Sequence, residues 1–223
     1  MGALLKPGLV LTARHCFVQG DEFSKKPSAP LGQEIFSNAQ ITGLNIQGTQ
    51  WTEPIVAVKF DPFDDRALKK YSSAEKSLKY RRENFPYTLD FVVVEIKAKE
   101  DQNLEHMRLA TFEHISNIQP RQRLLLGAFF EEEESSENAS LFVDDMRSCL
   151  VRKINPRDGY LHHHCQSLPG VSGSPLFVFD STDNLFIVGV HVSQAGTLKP
   201  SRIPTTGNEA VIVFNNIIQG LLN

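Results

Sequence analysis

What this chain has least of is sulfur and indole: three cysteines, three methionines and one tryptophan in 223 residues. Cys16, Cys149 and Cys165 are odd in number and irregular in spacing, which fits neither the disulfide framework of a small secreted domain nor a two-plus-two zinc pattern. An excess of charge is also lacking. Lysine and arginine number 23 against 26 acids, a formal net charge of -3, so there is no electrostatic footprint for a phosphate backbone and nucleic acid is not an expected partner. No apolar run approaches the roughly 20 residues that a membrane helix needs, so no membrane partner is expected. The first residues also lack the basic, apolar, small-residue order of a secretory leader. The compartment stays open, with an intracellular one favoured.

What is present is a series of short runs rich in Val, Ile, Leu and Phe, set between turn residues at 8–12, 54–60, 90–97, 123–130, 148–154, 174–180, 185–193 and 210–214. Few have helical periodicity, so the chain reads as all-β. The exception is 215–222, where asparagines able to cap precede apolar residues spaced for one face of a short C-terminal helix. A chain of this length suits one compact domain or two small packed barrels. Composition turns polar between 98 and 122, which places a divide near residue 110 and gives units of 1–110 and 111–223. Residues 61–88, with the basic clusters Lys69-Lys70-Tyr71 and Lys79-Tyr80-Arg81-Arg82, read as a solvated polar loop. The acidic run 131–138 reads as an exposed loop of like charges. Asn138-Ala139-Ser140 is a glycosylation sequon that matters only in a secreted chain.

Two remaining groups of residues concern cysteine and histidine. Cys149 and Cys165 stand almost symmetrically about a hairpin tip at 155–159 and can face each other across two strands. Reduced, core-packed thiols are the preferred reading, because nothing in the sequence establishes an oxidising compartment. His162-His163-His164-Cys165 invites a metal hypothesis, but strand alternation sends His162 and His164 to one face and His163 and Cys165 to the other. Zinc would need two more ligands from elsewhere, so no metal is expected.

Three segments carry the residue types of nucleophilic acyl transfer. A serine hydroxyl is a poor nucleophile at neutral pH, and a histidine within bonding reach must take its proton and return it to the leaving group. A buried carboxylate must hold that imidazole in one tautomer. Leu11-Thr12-Ala13-Arg14-His15-Cys16 offers His15, Leu89-Asp90 before four apolar residues offers Asp90, and Gly170-Val171-Ser172-Gly173-Ser174-Pro175 offers Ser172. Asp64, Asp65 and Asp101 are weaker rivals for the acid. In the third segment Gly170 permits an unusual turn, and the amides of Gly170 and Ser172 can point together at a developing oxyanion.

Histidine, acid and serine in this order resemble the trypsin/chymotrypsin-like serine protease superfamily, whose motifs read Leu-Thr-Ala-Ala-His-Cys and Asp-Ile-Ala-Leu-Leu at the first two places. The resemblance implies two packed antiparallel Greek-key barrels. It implies a serine endopeptidase working through an acyl-enzyme on a peptide or protein substrate, with no cofactor. The alternative is a catalytically impaired, protease-like module that binds peptides or regulates. Family zymogens carry aspartate where Val171 stands, so activation by pairing with a freed amine is not expected.

The third motif is closer to bacterial glutamyl endopeptidases. In those enzymes and in picornaviral cysteine proteases, a histidine in a Gly-Ile-His-like strand and a hydroxyl five places before the nucleophile read glutamate or glutamine. The matching positions are His191 and Ser167, with Val192 and Ser193 expected to pair with substrate backbone. In secreted relatives the cysteine matching Cys16 is bridged to one that would fall before Met1. Only 14 residues precede His15, fewer than the family's opening strands require. The expectation is a shortened first barrel completed by a rearranged segment, a partner chain or an upstream segment.

Overall fold

Continuous apolar runs such as Leu9-Val10-Leu11 and Val92-Val93-Val94 form strands buried on both faces, and side-chain alternation divides each run between two cores. Leu9, Leu11 and Val93 enter the main core, while Val10, Val92, Val94 and Ile96 form a second, smaller cluster. The computed structural model describes residues 1–18, 30–32, 39–44, 50–97, 107–131, 139–144, 149–167, 170–194 and 208–223. Residues 132–138 of the acidic run, Asn138 of the sequon and Asp101 lie outside the described residues.

Two curled antiparallel sheets carry the fold, which is all-β with a two-barrel architecture. The first contains β1 (Gly2–Lys6), β2 (Leu9–Thr12), β3 (Gln40–Leu44), β4 (Gln50–Phe60) and β5 (Val92–Ile96), in the order β1-β2-β5-β4-β3. The second contains β6 (Leu125–Glu131), β7 (Ala139–Asp144), β8 (Val151–Asn155), β9 (Tyr160–His163), β10 (Pro175–Phe179), β11 (Leu185–Gln194) and β12 (Asn208–Ile212), in the order β7-β6-β10-β11-β12-β9-β8. At the edge of the first sheet, the Met107 amide donates to the Leu4 carbonyl at 2.9 Å, so part of the β1 margin is paired.

The expected polar loop over 61–88 is corrected. It holds two helices, α1 (Asp65–Tyr71) and α2 (Glu75–Asn84), and then a 3-10 turn, Pro86–Leu89. Asp64 caps α1 by accepting from the Arg66 amide at 2.8 Å. Ala67, Leu68 and Leu78 are buried, so each helix has an apolar stripe narrow enough to be hidden among its lysines and arginines. The remaining helices are short, α3 (Phe112–Ser116) and α4 (Gln219–Leu222). The C-terminal helix expected over 215–222 is therefore split, with a 3-10 turn at Asn215–Ile217 preceding α4. The α4 end is seated on α1, where a Cβ at Gly220 would stand 2.9 Å from the Tyr71 Cα.

The preference for reduced thiols is also overturned: Cys149 and Cys165 form a disulfide. The reason is register. Val151 pairs with His163 in the β8–β9 ladder, and two places beyond, the same antiparallel register sets 149 opposite 165. The bridge closes a loop with a sequence separation of 16. A loop near that length is worth about 3 kcal/mol by the chain-entropy relation. We expect the double variant Cys149→Ser with Cys165→Ser to unfold roughly 6 to 12 °C lower than the parent by calorimetry. An unchanged midpoint would remove the bridge from the account of stability.

Candidate functional site

His15 lies on a 3-10 turn, Arg14–Phe17, that follows β2 directly. The turn is anchored from below. Arg14, buried, donates from Nε to Asp61 Oδ1 at 3.1 Å, and its guanidinium stands 4.6 Å over the Phe63 ring. Asp61 is itself buried and also accepts from the amides of Leu31 at 2.8 Å and Phe63 at 2.9 Å. With its carboxylate saturated in this way, the pair fixes the turn, and removing one partner would strand a buried charge at a cost of about 3–5 kcal/mol.

Asp90 follows the 3-10 turn Pro86–Leu89 and is only 2% exposed. Its Oδ1 accepts from the His15 amide at 2.8 Å, and its Oδ2 lies 2.6 Å from His15 Nδ1. One carboxylate thus holds both the main chain and the ring of one histidine, leaving Nε2 as the edge turned from the acid. The rivals have other work. Asp64 caps α1, and Asp65 pairs with Arg82 at 3.0 Å.

The serine segment is a tight turn docked on the same strand end. Gly173 has φ +87°, and a Cβ there would collide with the Met1 carbonyl and Thr12 Oγ1, so the close approach requires glycine on two counts. The Gly173 amide donates to the His191 carbonyl and the His191 amide to the Ser174 carbonyl, each at 2.8 Å. The Ser172 carbonyl accepts from the Met1 amine at 3.1 Å and lies 4.0 Å from Cys16 Sγ, next to His15. No hydrogen bond joins the Ser172 hydroxyl to the imidazole. Such bonds are often long in an enzyme without substrate. Gly170 has φ +92° with open space beside its Cα, and among the described residues the amides of Gly170 and Ser172 donate to no acceptor.

His191, on β11, is buried at 3% exposure, and its Nδ1 stands 3.2 Å from His163 Nε2. Burial first, and then the proximity of the His15 imidazole, pulls its pKa down to about 4. Its neighbour Val192 is also buried, and Ser193 pairs with Glu209 across the β11–β12 ladder. Ser167 is tied elsewhere: its hydroxyl donates to Asn208 Oδ1 at 2.9 Å, and Asn208 Nδ2 donates to the Cys165 carbonyl at 2.6 Å. The Ser167 hydroxyl and the His191 strand are thus both attached to β12, the first at Asn208 at its start and the second at Ala210 at its centre.

The other histidines of the run divide as alternation requires. His163 meets His191, whereas His162 Nδ1 stands 3.9 Å from Glu209 Oε1. His162 lines a small crevice of about 10 Å³ with Tyr87, Thr88, Tyr160 and Val192. Burial, then Lys153 and Arg152, hold His162 down to about 4, and burial pushes the Tyr87 hydroxyl up to about 12. His163 is buried completely and its pKa falls well below the ordinary range, through desolvation first and the neighbouring imidazoles second. Sequence reasoning missed Asp61, Arg81, His163 and Asn208. Only Arg14 left a trace, as an arginine where the resembling motif has alanine.

A family model described as a trypsin-like peptidase domain matches residues 1–190. Among solved structures, the chain is similar to a Glu endopeptidase in complex with MPD, at TM-score 0.56 and 15% identity, covering 99% of this chain and 82% of that one. At that identity the likeness shows the fold alone. No curated protein matches the chain.

The histidine environments set a pH dependence whose sign follows from linkage. His162 and His191 take a proton near the ordinary 6.5 when unfolded but only near 4 when folded. The unfolded state therefore binds more protons between those values. Stability from these groups is fully present above 6.5 and is lost as pH falls toward 4, at most about 1.4 kcal/mol per pH unit for each imidazole. Urea unfolding should show a midpoint that drops from pH 7 to pH 5, with a shallower drop in His191→Gln. Equal slopes in parent and variant would show that His191 does not titrate as described.

Proposed function

The chain belongs to the trypsin-like peptidase family, and from that premise we propose that it is a serine endopeptidase that cuts peptide bonds through an acyl-enzyme. The observation that carries this reading is the paired grip of Asp90 on the His15 amide and Nδ1 beside a glycine turn presenting Ser172. In the proposed reaction Nε2 of His15 takes the Ser172 proton as Oγ attacks the scissile carbonyl. Asp90 keeps Nδ1 protonated and stabilises the imidazolium. The negative charge on the former carbonyl oxygen is met by the amides of Gly170 and Ser172, which donate to no other acceptor among the described residues. The imidazolium then gives its proton to the leaving amine, and water repeats the sequence to free the acyl group.

The side chain before the cut is proposed to be glutamate or glutamine, read by His191 with Ser167, while Val192 and Ser193 pair with substrate backbone. The support is positional: the His191 strand is bonded directly to the nucleophile turn, and a neutral imidazole can donate to a carboxylate or amide oxygen. The second reading is a protease-like module that binds peptide without cutting it, in which the Ser172 hydroxyl and the imidazole stay apart when peptide is bound.

A fluorophosphonate probe separates the two readings. We expect labelling of the folded protein that vanishes in Ser172→Ala, and its absence from folded parent protein would support the binding module. Asp90→Asn, which leaves the shape but favours the wrong tautomer, should lower kcat by about 10⁴-fold. A peptide-library digest with cuts after Lys, Arg or Phe would remove the pocket assignment and leave the catalytic one intact.

A further inference from the structure

We propose that Arg81, on α2 and away from the reacting groups, is a positioning residue for Asp90, tying the main chain two residues ahead of the acid to the second sheet. The proposal rests on the serine-peptidase reading of His15, Asp90 and Ser172. Arg81 is 1% exposed. Its Nη2 donates to the Thr88 carbonyl, and also reaches the Gly159 carbonyl at 3.3 Å and the Ile212 carbonyl at 3.5 Å. Its Nε donates to Thr88 Oγ1 at 3.2 Å, and that hydroxyl in turn donates a hydrogen bond to the Phe85 carbonyl at 2.8 Å. The acceptors come from three places: the turn before Asp90, the tip of the β8–β9 hairpin, and β12.

A fully buried guanidinium held mainly by carbonyls is an expensive way to join a helix to a sheet, and an aliphatic side chain would fill the space without a desolvation cost. What the guanidinium adds is a rigid planar fork of donors, which can fix several acceptors in mutual register as lysine or leucine cannot. The site is shaped for that fork. Gly159 has φ +84°, and a Cβ there would overlap the Arg81 guanidinium. The Ile212 amide donates to the same Gly159 carbonyl at 2.9 Å, so the two second-sheet anchors are already bound to each other.

The lever to the acid is short. Thr88 and Asp90 are separated only by the buried Leu89, and the Phe91 amide bonds back to the Leu89 carbonyl at 2.8 Å, closing the turn. A shift at Thr88 therefore reaches Asp90 with little chain in which to dissipate it. The Asp90 bonds to His15, at 2.6 and 2.8 Å, tolerate only a few tenths of an ångström before they weaken.

The test uses Arg81→Lys, which keeps charge and stem but loses the fork, and Arg81→Met, which loses both. Gly159→Ala pushes on the guanidinium from the opposite side. Two readouts are taken on the full chain. The first is the downfield proton NMR signal of the His15 Nδ1–H shared with Asp90, identified by its loss in His15→Ala. The second is fluorophosphonate labelling of Ser172, with kcat and KM on a cleaved peptide.

The expected result is a downfield signal that weakens in the order parent, Arg81→Lys, Arg81→Met. Labelling and kcat should fall about 10- to 100-fold while KM stays within about twofold, the pattern of a displaced base. An Arg81→Lys protein that folds cooperatively and keeps both signal and labelling rate would overturn the proposal. So would failure of both substitutions to fold, because Arg81 would then serve the fold as a whole. If the parent is not labelled, the peptidase reading fails by itself, and the NMR signal still decides whether Arg81 places Asp90.

Discussion

The Asp90 carboxylate, buried and bonded twice to His15, is the constraint around which the first sheet is arranged. A carboxylate withdrawn from water needs donors for both oxygens, and here both come from one residue. The sheet makes this possible through register. Thr12 pairs with Val92 where β2 meets β5, and carrying that pairing two places past the strand ends sets 14 opposite 90. His15 is then within reach of the acid without any long connection. The buried Val92-Val93-Val94 run, inserted between β2 and β4, holds the register, because a one-residue slip would exchange the two apolar clusters.

The second sheet contributes mainly main-chain geometry. Gly173 fits against Met1, Thr12 and Ala13 because it has no side chain, and reciprocal backbone bonds to His191 hold the serine turn on β11. Two sheets meet at this point through contacts that do not depend on large side chains. His191 is consequently bound to the nucleophile turn through its backbone while its ring rests on His163. Position and protonation state of this imidazole are thus set by different neighbours.

The elements legible in the sequence were those whose physics is local. Apolar runs within β2, β4, β5, β10 and β11 stand out from their flanks, and the Gly170–Ser174 turn shows its glycines openly. The strands β3 and β7 fall outside the apolar runs of the sequence, and Thr42 and Gly43 interrupt the first, whereas β9 is legible only as the second arm of the hairpin about 155–159, because its histidines carry little apolar pattern of their own. The α1 and α2 helices were read as loop because only Ala67, Leu68 and Leu78 mark their inner faces. Arg81 reads as part of a solvated basic cluster, and only the fold shows that its acceptors lie as far away as Ile212. The Cys149–Cys165 bridge was visible as a symmetry about the hairpin tip, but spacing alone gave no preference for oxidation.

Arg14 and Arg81 frame the acid–base pair from the two ends of the segment that joins β4 to β5. Asp61, at its start, holds the arginine just before His15, and Thr88, near its end, is held by the arginine of α2 just before Asp90. The two devices differ energetically. Arg14 and Asp61 compensate each other's charge, although Asp61 also accepts the Leu31 and Phe63 amides, so an apolar pair in their place would leave those two donors unmet. Arg81 has main-chain carbonyls as its principal partners, and no substitution can remove those acceptors along with the donor. Replacing it leaves carbonyls of the Asp90 turn and of the second sheet in need of water or new donors, each at a cost of about 1–3 kcal/mol. The helical segment between β4 and β5 is therefore bound to the acid–base geometry at both ends, and the anchor nearer Asp90 is the one that substitution can least easily reproduce.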